Sequence, residues 1–325
     1  MKVVFSRIYN KLANNGSPIQ DRTSLLVWFL SALKWKELGY ETLLYADETT
    51  QGTLKEYGLL DLYDKVKTLK NEEIDEEVFW ACSKILSAKQ FMEEYPNEEF
   101  MVSDLDFIPL KDPKDFVETD NDLVTFYGEY WKAYAKLEDI NFNTDYTLPN
   151  FYVGTVNPIN TCLLFIQKNN LELFSDYLDI ELDFMSYHKK FISGQTSNDL
   201  MVFVEQRLFT EYLVSKGVPI VFTSPKNKSV FNLSGLHTGV YKSLEKSDYW
   251  KWNIWYLKWL KEEYQDIYES IINLDLYADI KEIIDKGEGK YVDKKDRETN
   301  ISDFSWDNLE YPRAFEDIYD PNWNS

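Results

Sequence analysis

The chain has 325 residues, of which 44% are hydrophobic and 16% aromatic, enough to fill a sizeable core and too apolar for global disorder. Its net charge of −21 excludes a general nucleic-acid surface and disfavours an anionic membrane surface, because both need concentrated Lys and Arg. Two cysteines, Cys82 and Cys162, sit inside apolar segments as buried thiols rather than a disulfide framework. No signal-like region opens the sequence and no run approaches a membrane span, so the expected location is cytoplasmic.

Lys2 to Tyr9 reads as a first buried strand, and Asn10 to Gln20 as a polar loop carrying Asn14-Asn15-Gly16. A helix from about Arg22 to Leu38, capped by Asp21 or Thr23 and ended by Gly39, is apolar on nearly every face and should be buried. Glu41–Asp47 is a second strand, Gly52–Tyr57 a short helix and Asp64–Leu69 a third strand. Acidic Glu72–Glu77 connects to a helix over Val78–Tyr95. Alternating strand and helix predict an α/β fold with a mostly parallel central sheet flanked by helices. Ligands of such sheets collect beyond the carboxyl ends of the strands.

The next strand, Phe100-Met101-Val102-Ser103, runs into Asp104-Leu105-Asp106 and leaves through Phe107-Ile108-Pro109-Leu110. Alternate strand positions share a face, so Asp104 and Asp106 should point the same way. Two carboxylates that close are costly without a cation, and oxygen ligands suit Mg²⁺ or Mn²⁺. The competing reading is a chance Asp-x-Asp that marks only a turn.

Downstream, Asp112–Val117 is a short helix and Leu123–Tyr127 a strand. The aromatic, irregular Trp131–Tyr152 segment reads as a lid or binding loop. Asn160–Ile166 is another strand, Leu171–Tyr187 and Leu200–Lys216 are helices, and Val218–Phe222 is a short strand. Tyr249–Tyr268 is a helix whose tryptophans, Trp250, Trp252, Trp255 and Trp259, form a stripe read as packing rather than a sugar platform. A helix over Ile271–Lys286 and an acidic tail bearing Trp306, Tyr311, Phe315, Tyr319 and Trp323 complete the chain. The expected division is 1–245 as one domain and 246–325 as a helical, aromatic-rich extension.

The strand, the Asp-x-Asp and the apolar exit, at the end of a three-strand half, resemble the GT-A glycosyltransferases, closest to the family-eight type. Ser83-Lys84-Ile85-Leu86 is similar to that family's Ser/Thr-Lys-Leu segment, and Asn160-Thr161-Cys162 to its Asn-(Thr/Ser)-Gly strand entry, with Cys in place of Gly. Glu205-Gln206 looks like its Asp-Gln pair, with Glu for Asp. His237-Thr238-Gly239-Val240-Tyr241-Lys242 is similar to its His-x-x-Gly-x-x-Lys element, one residue shorter between His and Gly.

The resemblance covers about residues 1 to 245 and implies a GT-A-like, Rossmann-like nucleotide-binding half. It implies a metal-dependent transferase acting on a nucleoside-diphosphate sugar, most simply a UDP-sugar, and a glycan or other acceptor. Mn²⁺ or Mg²⁺ would be held by Asp104, Asp106 and His237. Asp104, Lys84, Gly239 and Lys242 would meet the donor, with Tyr9 stacking on the base and Arg7 approaching it. Gln206 and Glu205 would face the transferred sugar, and Asp199 or Glu205 would serve as base if the reaction inverts. Each has a plainer reading: Lys84 as a surface residue of an amphipathic helix, Tyr9 as a strand-end aromatic, Arg7 as a carboxylate's partner, Glu205-Gln206 as an exposed pair.

Two other functions compete. A GT-A-shaped binding or structural protein could dock through the aromatic C-terminal region. Phosphohydrolases of the haloacid-dehalogenase kind also place Asp-x-Asp after a strand, but they need Thr or Val where Ile108 stands and carry the pair on their first strand.

Overall fold

Strand β1 (Lys2–Arg7) is the axis of a seven-stranded sheet in this computed structural model, which describes residues 1–8, 22–70, 74, 78–79, 81–128, 146–188, 197–223, 234–237, 249–292, 298–301 and 304–305. Helix α1 (Arg22–Glu37) leads to β2 (Glu41–Ala46), parallel to β1. The chain turns at Gly39, whose φ of +82° is open to glycine at no steric penalty. Asp47 then caps α2 (Glu48–Glu56) by accepting from the Thr50 N–H at 3.0 Å. That cap starts the helix earlier than the expected Gly52. Strand β3 (Lys65–Thr68) lies parallel on β2, and α3 (Cys82–Glu94) crosses back to β4 (Phe100–Ser103), parallel to β1 on its other side.

β5 (Phe107–Pro109) leaves the sheet, whereas β6 (Leu123–Thr125), β7 (Leu163–Ile166) and β8 (Ile220–Phe222) extend it. The order is β3-β2-β1-β4-β7-β6-β8, with β7 antiparallel to both β4 and β6 and the other pairs parallel. The chain leaves β1 toward β2 on one side and returns to β4 on the other. The crevice beyond the ends of β1 and β4 is therefore the switch point where open α/β sheets take ligands.

Strand alternation sorts the core into two layers. Val3, Phe5, Met101 and Phe165 face α1, while Val4, Phe100, Val102 and Leu164 face α3, α4 (Leu171–Tyr187) and the helical segment 197–215. α1 is buried nearly all round because it lies between the sheet and α7 (Tyr249–Glu263). Trp252 and Tyr256 enter the same core and Trp250, Trp255 and Trp259 pack on its rim, so the stripe is packing.

Several expected boundaries shift. The helix expected over Tyr249–Tyr268 breaks at Tyr264, whose φ of −139° is not helical, and resumes as α8 (Gln265–Ile272). The one expected over Ile271–Lys286 is reduced to α9 (Ala278–Lys286), after a turn at Asp275–Tyr277. Beyond it β10 (Gly289–Val292) pairs antiparallel with β11 (Glu298–Ile301), a ribbon in the region expected to be an acidic, aromatic tail. Residues 72–73, 75–77 and 131–145 of the expected connection and lid lie outside the described residues.

Candidate active site

β4 ends at Ser103, and Asp104-Leu105-Asp106 form a turn closed by the Phe107 N–H donating to the Asp104 carbonyl at 3.2 Å. The expected alternation of two strand side chains is thus corrected. The Asp104 N–H still donates to the Cys162 carbonyl at 2.8 Å, but the ladder stops there and Leu105 turns into the core. α1 fastens both flanks: Trp35 Nε1 donates to Ser103 Oγ at 3.3 Å and Ser31 Oγ to the Phe107 carbonyl at 2.6 Å.

β5 pairs antiparallel with β9 (Gly235–His237), setting His237 opposite Phe107 and Gly235 opposite Pro109. A Cβ on Gly235 would lie 2.4 Å from Phe107 Cζ, so only glycine lets the ribbon close this tightly. The ribbon brings a distant imidazole to the Asp pair. His237 Nε2 is 3.4 Å from Asp106 Oδ1 and 3.9 Å from Asp104 Oδ2, and one ligand atom from each residue lies within 4.8 Å of the others.

Two carboxylate oxygens and an imidazole nitrogen at this spacing fit a Mn²⁺- or Mg²⁺-like ion. The charges are uneasy without one. Burial pushes the Asp104 carboxyl above its ordinary range, Asp106 and Glu205 add to that, and Lys84 and His237 oppose it. The His237 imidazole would be driven down by burial, but its neighbours, Cys162 and Asp106, hold it well above its ordinary value. Its Nδ1 is buried with no hydrogen-bond partner.

Lys84, in the first turn of α3, is not a surface residue. Its ammonium contacts Asp104 Oδ1 at 2.7 Å and donates to Glu205 Oε1 and to the Thr161 carbonyl at 3.1 Å. Burial alone would lower its pKa, but the two carboxylates outweigh burial and raise it.

Glu205 and Gln206 sit on a π-helical turn, Phe203–Leu208, inserted between α5 (Ser197–Val202) and α6 (Phe209–Ser215). Tyr177 from α4 donates its hydroxyl to the Val204 carbonyl, and Thr210 Oγ donates to the Gln206 carbonyl at 2.6 Å. These side chains give extra donors to the carbonyls that a π-turn displaces, and such turns recur at functional sites. The pair is not on an exposed helical face: Glu205 is buried and Gln206 half-buried.

A cleft of about 230 Å³ gathers Arg7, Lys84, Asp104, Asp106, Glu205, Gln206 and His237. Burial lowers the Arg7 pKa against the opposing pull of Asp106, Asp47 and Asp104, and its guanidinium lies 5.3 Å from the Trp28 ring centre. Trp28, Ser24, Ser6, Ser83 and Thr161 also line the cleft, none of which the sequence singled out alone. Ser24 and Trp28 are spaced i,i+4 on α1, and a serine on an otherwise apolar helix face was the available signal. Asp199, in the first turn of α5, is not among the lining residues. Tyr9, Gly239 and Lys242 lie outside the described residues, as do 194–196 of the expected acceptor loop.

No protein-family model matches the sequence, and no curated protein is similar to it. Among solved structures, the chain is similar to a glycosyltransferase involved in the glycosylation of the major capsid of PBCV-1, with 12% identity, a TM-score of 0.35 and 73% of this chain against 94% of that one. It is similar to the PaToxG glycosyltransferase at 11% identity and a TM-score of 0.37, covering 66% of this chain and 69% of that one. It is also similar to the galactosyltransferase LgtC, solved in complex with donor and acceptor sugar analogs, at 10% identity and a TM-score of 0.39, covering 84% and 97%. Likenesses this slight transfer neither activity nor residue roles.

Proposed function

We propose that this chain is a metal-dependent glycosyltransferase, moving a sugar from a nucleoside-diphosphate sugar, a UDP-sugar first among them, to a glycan or other hydroxyl-bearing acceptor. The observation that carries the reading is the meeting of Asp104, Asp106 and His237, from two distant segments, in a cleft at the sheet's switch point. When bound there, Mn²⁺ or Mg²⁺ supplies a Lewis acid that neutralises the charge developing on a departing diphosphate.

The protein's own side chains do the rest of the work. Arg7 and Trp28 flank the opening of the cleft beside β1 and would bind the nucleoside end, with the Ser6 and Ser83 hydroxyls, 3.2 Å apart, as polar contacts. Gln206, lining the cleft from the π-turn, would face the transferred sugar and orient it by hydrogen bonds. Tyr9, Gly239 and Lys242 follow closely on β1 and β9 in sequence and belong to the donor contacts in this proposal. No helix among the described residues is long and apolar enough to cross a membrane.

The test is a melting curve. Mn²⁺ together with UDP should raise the wild-type melting temperature by mass action and leave Asp106→Ala unmoved. No shift with Mn²⁺ and any nucleoside diphosphate would overturn the reading and favour a docking protein.

A further inference from the structure

Glu205 is badly placed to touch a sugar. Its side chain is only 6% exposed, and Oε1 already accepts from Lys84 Nζ and from Thr161 Oγ at 2.6 Å. Lys84, 12% exposed, divides its three N–H donors among Glu205, Asp104 Oδ1 and the Thr161 carbonyl. The ammonium is saturated. To reach into the cleft it would have to break a buried, charge-assisted hydrogen bond.

The other oxygen of Asp104, Oδ2, faces His237. Asp104 therefore stands between a fixed monocation and the seat of the metal ion. Taken alone, the ammonium would neutralise Asp104 and repel a divalent cation beyond it. A carboxylate on the far side of the ammonium cancels that charge and leaves Asp104 its full negative charge. Thr161 holds both partners and so fixes which oxygen of Asp104 turns toward His237.

We propose that Glu205 is a positioning residue of the metal centre, acting through Lys84 on Asp104, and not a group that contacts the sugar. This rests on the metal reading above and says what the buried carboxylate does for it.

The proposal predicts coupling, which a double-variant cycle measures. Mn²⁺ is titrated into wild type, Glu205→Gln, Lys84→Met and the double variant, with free Mn²⁺ read by electron paramagnetic resonance and each apo melting temperature recorded. Glu205→Gln should weaken Mn²⁺ binding about tenfold, in the range of other outer partners of metal ligands. The same change in the Lys84→Met background should cost nothing, because no ammonium remains to be balanced. Unchanged Mn²⁺ affinity in Glu205→Gln, or an equal loss in both backgrounds, overturns the proposal.

Should Glu205→Gln fail to fold, Glu205→Asp and the double variant decide, since one keeps the charge and the other removes both charges. Each should bind Mn²⁺ within about threefold of wild type, and a loss of more than tenfold in either overturns the role. Absence of Mn²⁺ binding by wild type itself would overturn the metal reading and this inference together, whereas normal wild-type binding with no coupling sinks this inference alone.

Discussion

Two buried ion pairs in this molecule look alike in chemistry and differ in everything around them. Arg22, at the start of α1, makes a two-pronged contact with Asp279 of α9 at 2.5 and 3.1 Å. It also donates to the Val292 carbonyl at 2.7 Å and lies 4.2 Å from the Tyr291 ring centre. One cation meets one anion, and the pair lines no part of the cleft. Around Lys84 the count is lopsided. Asp104, Asp106 and Glu205 crowd one ammonium and the Arg7 guanidinium, and Asp104 sits above its ordinary pKa. A structural clasp balances its charges, whereas a site awaiting a cation carries an excess of one sign.

Breaking each cluster should separate the two roles. Asp106→Ala should lower nucleotide-sugar turnover at least about a hundredfold while leaving the melting temperature of the apo protein unchanged or higher, because a crowded like charge has been removed. Arg22→Ala should do the reverse. Leaving Asp279 without its partner should destabilise the chain by about 3 kcal/mol in urea unfolding, with little change in turnover per folded molecule. A turnover loss in Arg22→Ala as deep as that in Asp106→Ala would erase the distinction.

The β5–β9 ribbon joins the comparison through Gly235. Its substitution by Ala sets a Cβ 2.4 Å from Phe107 Cζ and 3.0 Å from the Ile108 carbonyl. Overpacking of that kind destabilises by about 1–3 kcal/mol, and here the strand it would displace carries His237. Gly235→Ala should therefore lose both stability and Mn²⁺ affinity, which neither ion-pair variant does alone. Adding Phe107→Leu should restore part of both. If Mn²⁺ affinity survives in Gly235→Ala, the ribbon does not set the imidazole's place.

These residues also mark how far the sequence could be read. Asp104, Asp106 and His237 were legible because two carboxylates after an apolar strand, and one of only two histidines beside a glycine, are chemically conspicuous. The parallel β1–β4 half was legible from its strand–helix alternation. The turn that joins the two acids was not, since Asp104-Leu105-Asp106 satisfies a strand pattern as well as a turn. Lys84 could not be told from a surface lysine, because what buries it, Asp104 and Glu205, lies far along the chain. The three-residue strands β5 and β9 and the ribbon β10–β11 have little pattern of their own; pairing and packing make them strands. The π-turn leaves no trace in hydrophobic periodicity, because it shifts the register of a helix by a single residue.

A pH series sharpens the contrast between balanced and crowded charge. Glu181 of α4 is buried on the far side of Lys84, and its pKa stands well above the ordinary value through burial and the nearby Glu205, with Lys84 opposing. The folded chain thus holds this proton at pH values where the unfolded chain, with a Glu pKa of about 4.3, has released it. More protons on the folded state means that stability falls as pH rises above that value, until the folded group also ionises. Glutamine cannot titrate. The melting temperature of Glu181→Gln minus that of wild type should therefore climb from pH 4 upward, and a difference flat with pH would show that Glu181 ionises as freely as in the unfolded chain.

The smallest effect tests the scaffold behind the crowded site. Tyr177 donates its hydroxyl to the Val204 carbonyl inside the π-turn, and both groups are buried. Tyr177→Phe keeps the ring's packing against Phe209 and Tyr212, whose centres lie 4.6 and 5.3 Å away, and removes only the donor. A single buried hydrogen bond is worth about 1 kcal/mol, which sets the expected loss in urea unfolding. The π-turn presents Glu205 to Lys84 and Gln206 to the cleft, so relaxing it toward an ordinary α-helix would rotate both side chains away. Tyr177→Phe should then lower turnover more than its stability loss would suggest, whereas Phe at the balanced clasp's Tyr291 should lower stability alone. Equal turnover in the two variants would mean that Thr210, whose hydroxyl holds the Gln206 carbonyl at 2.6 Å, is sufficient to keep the turn in place.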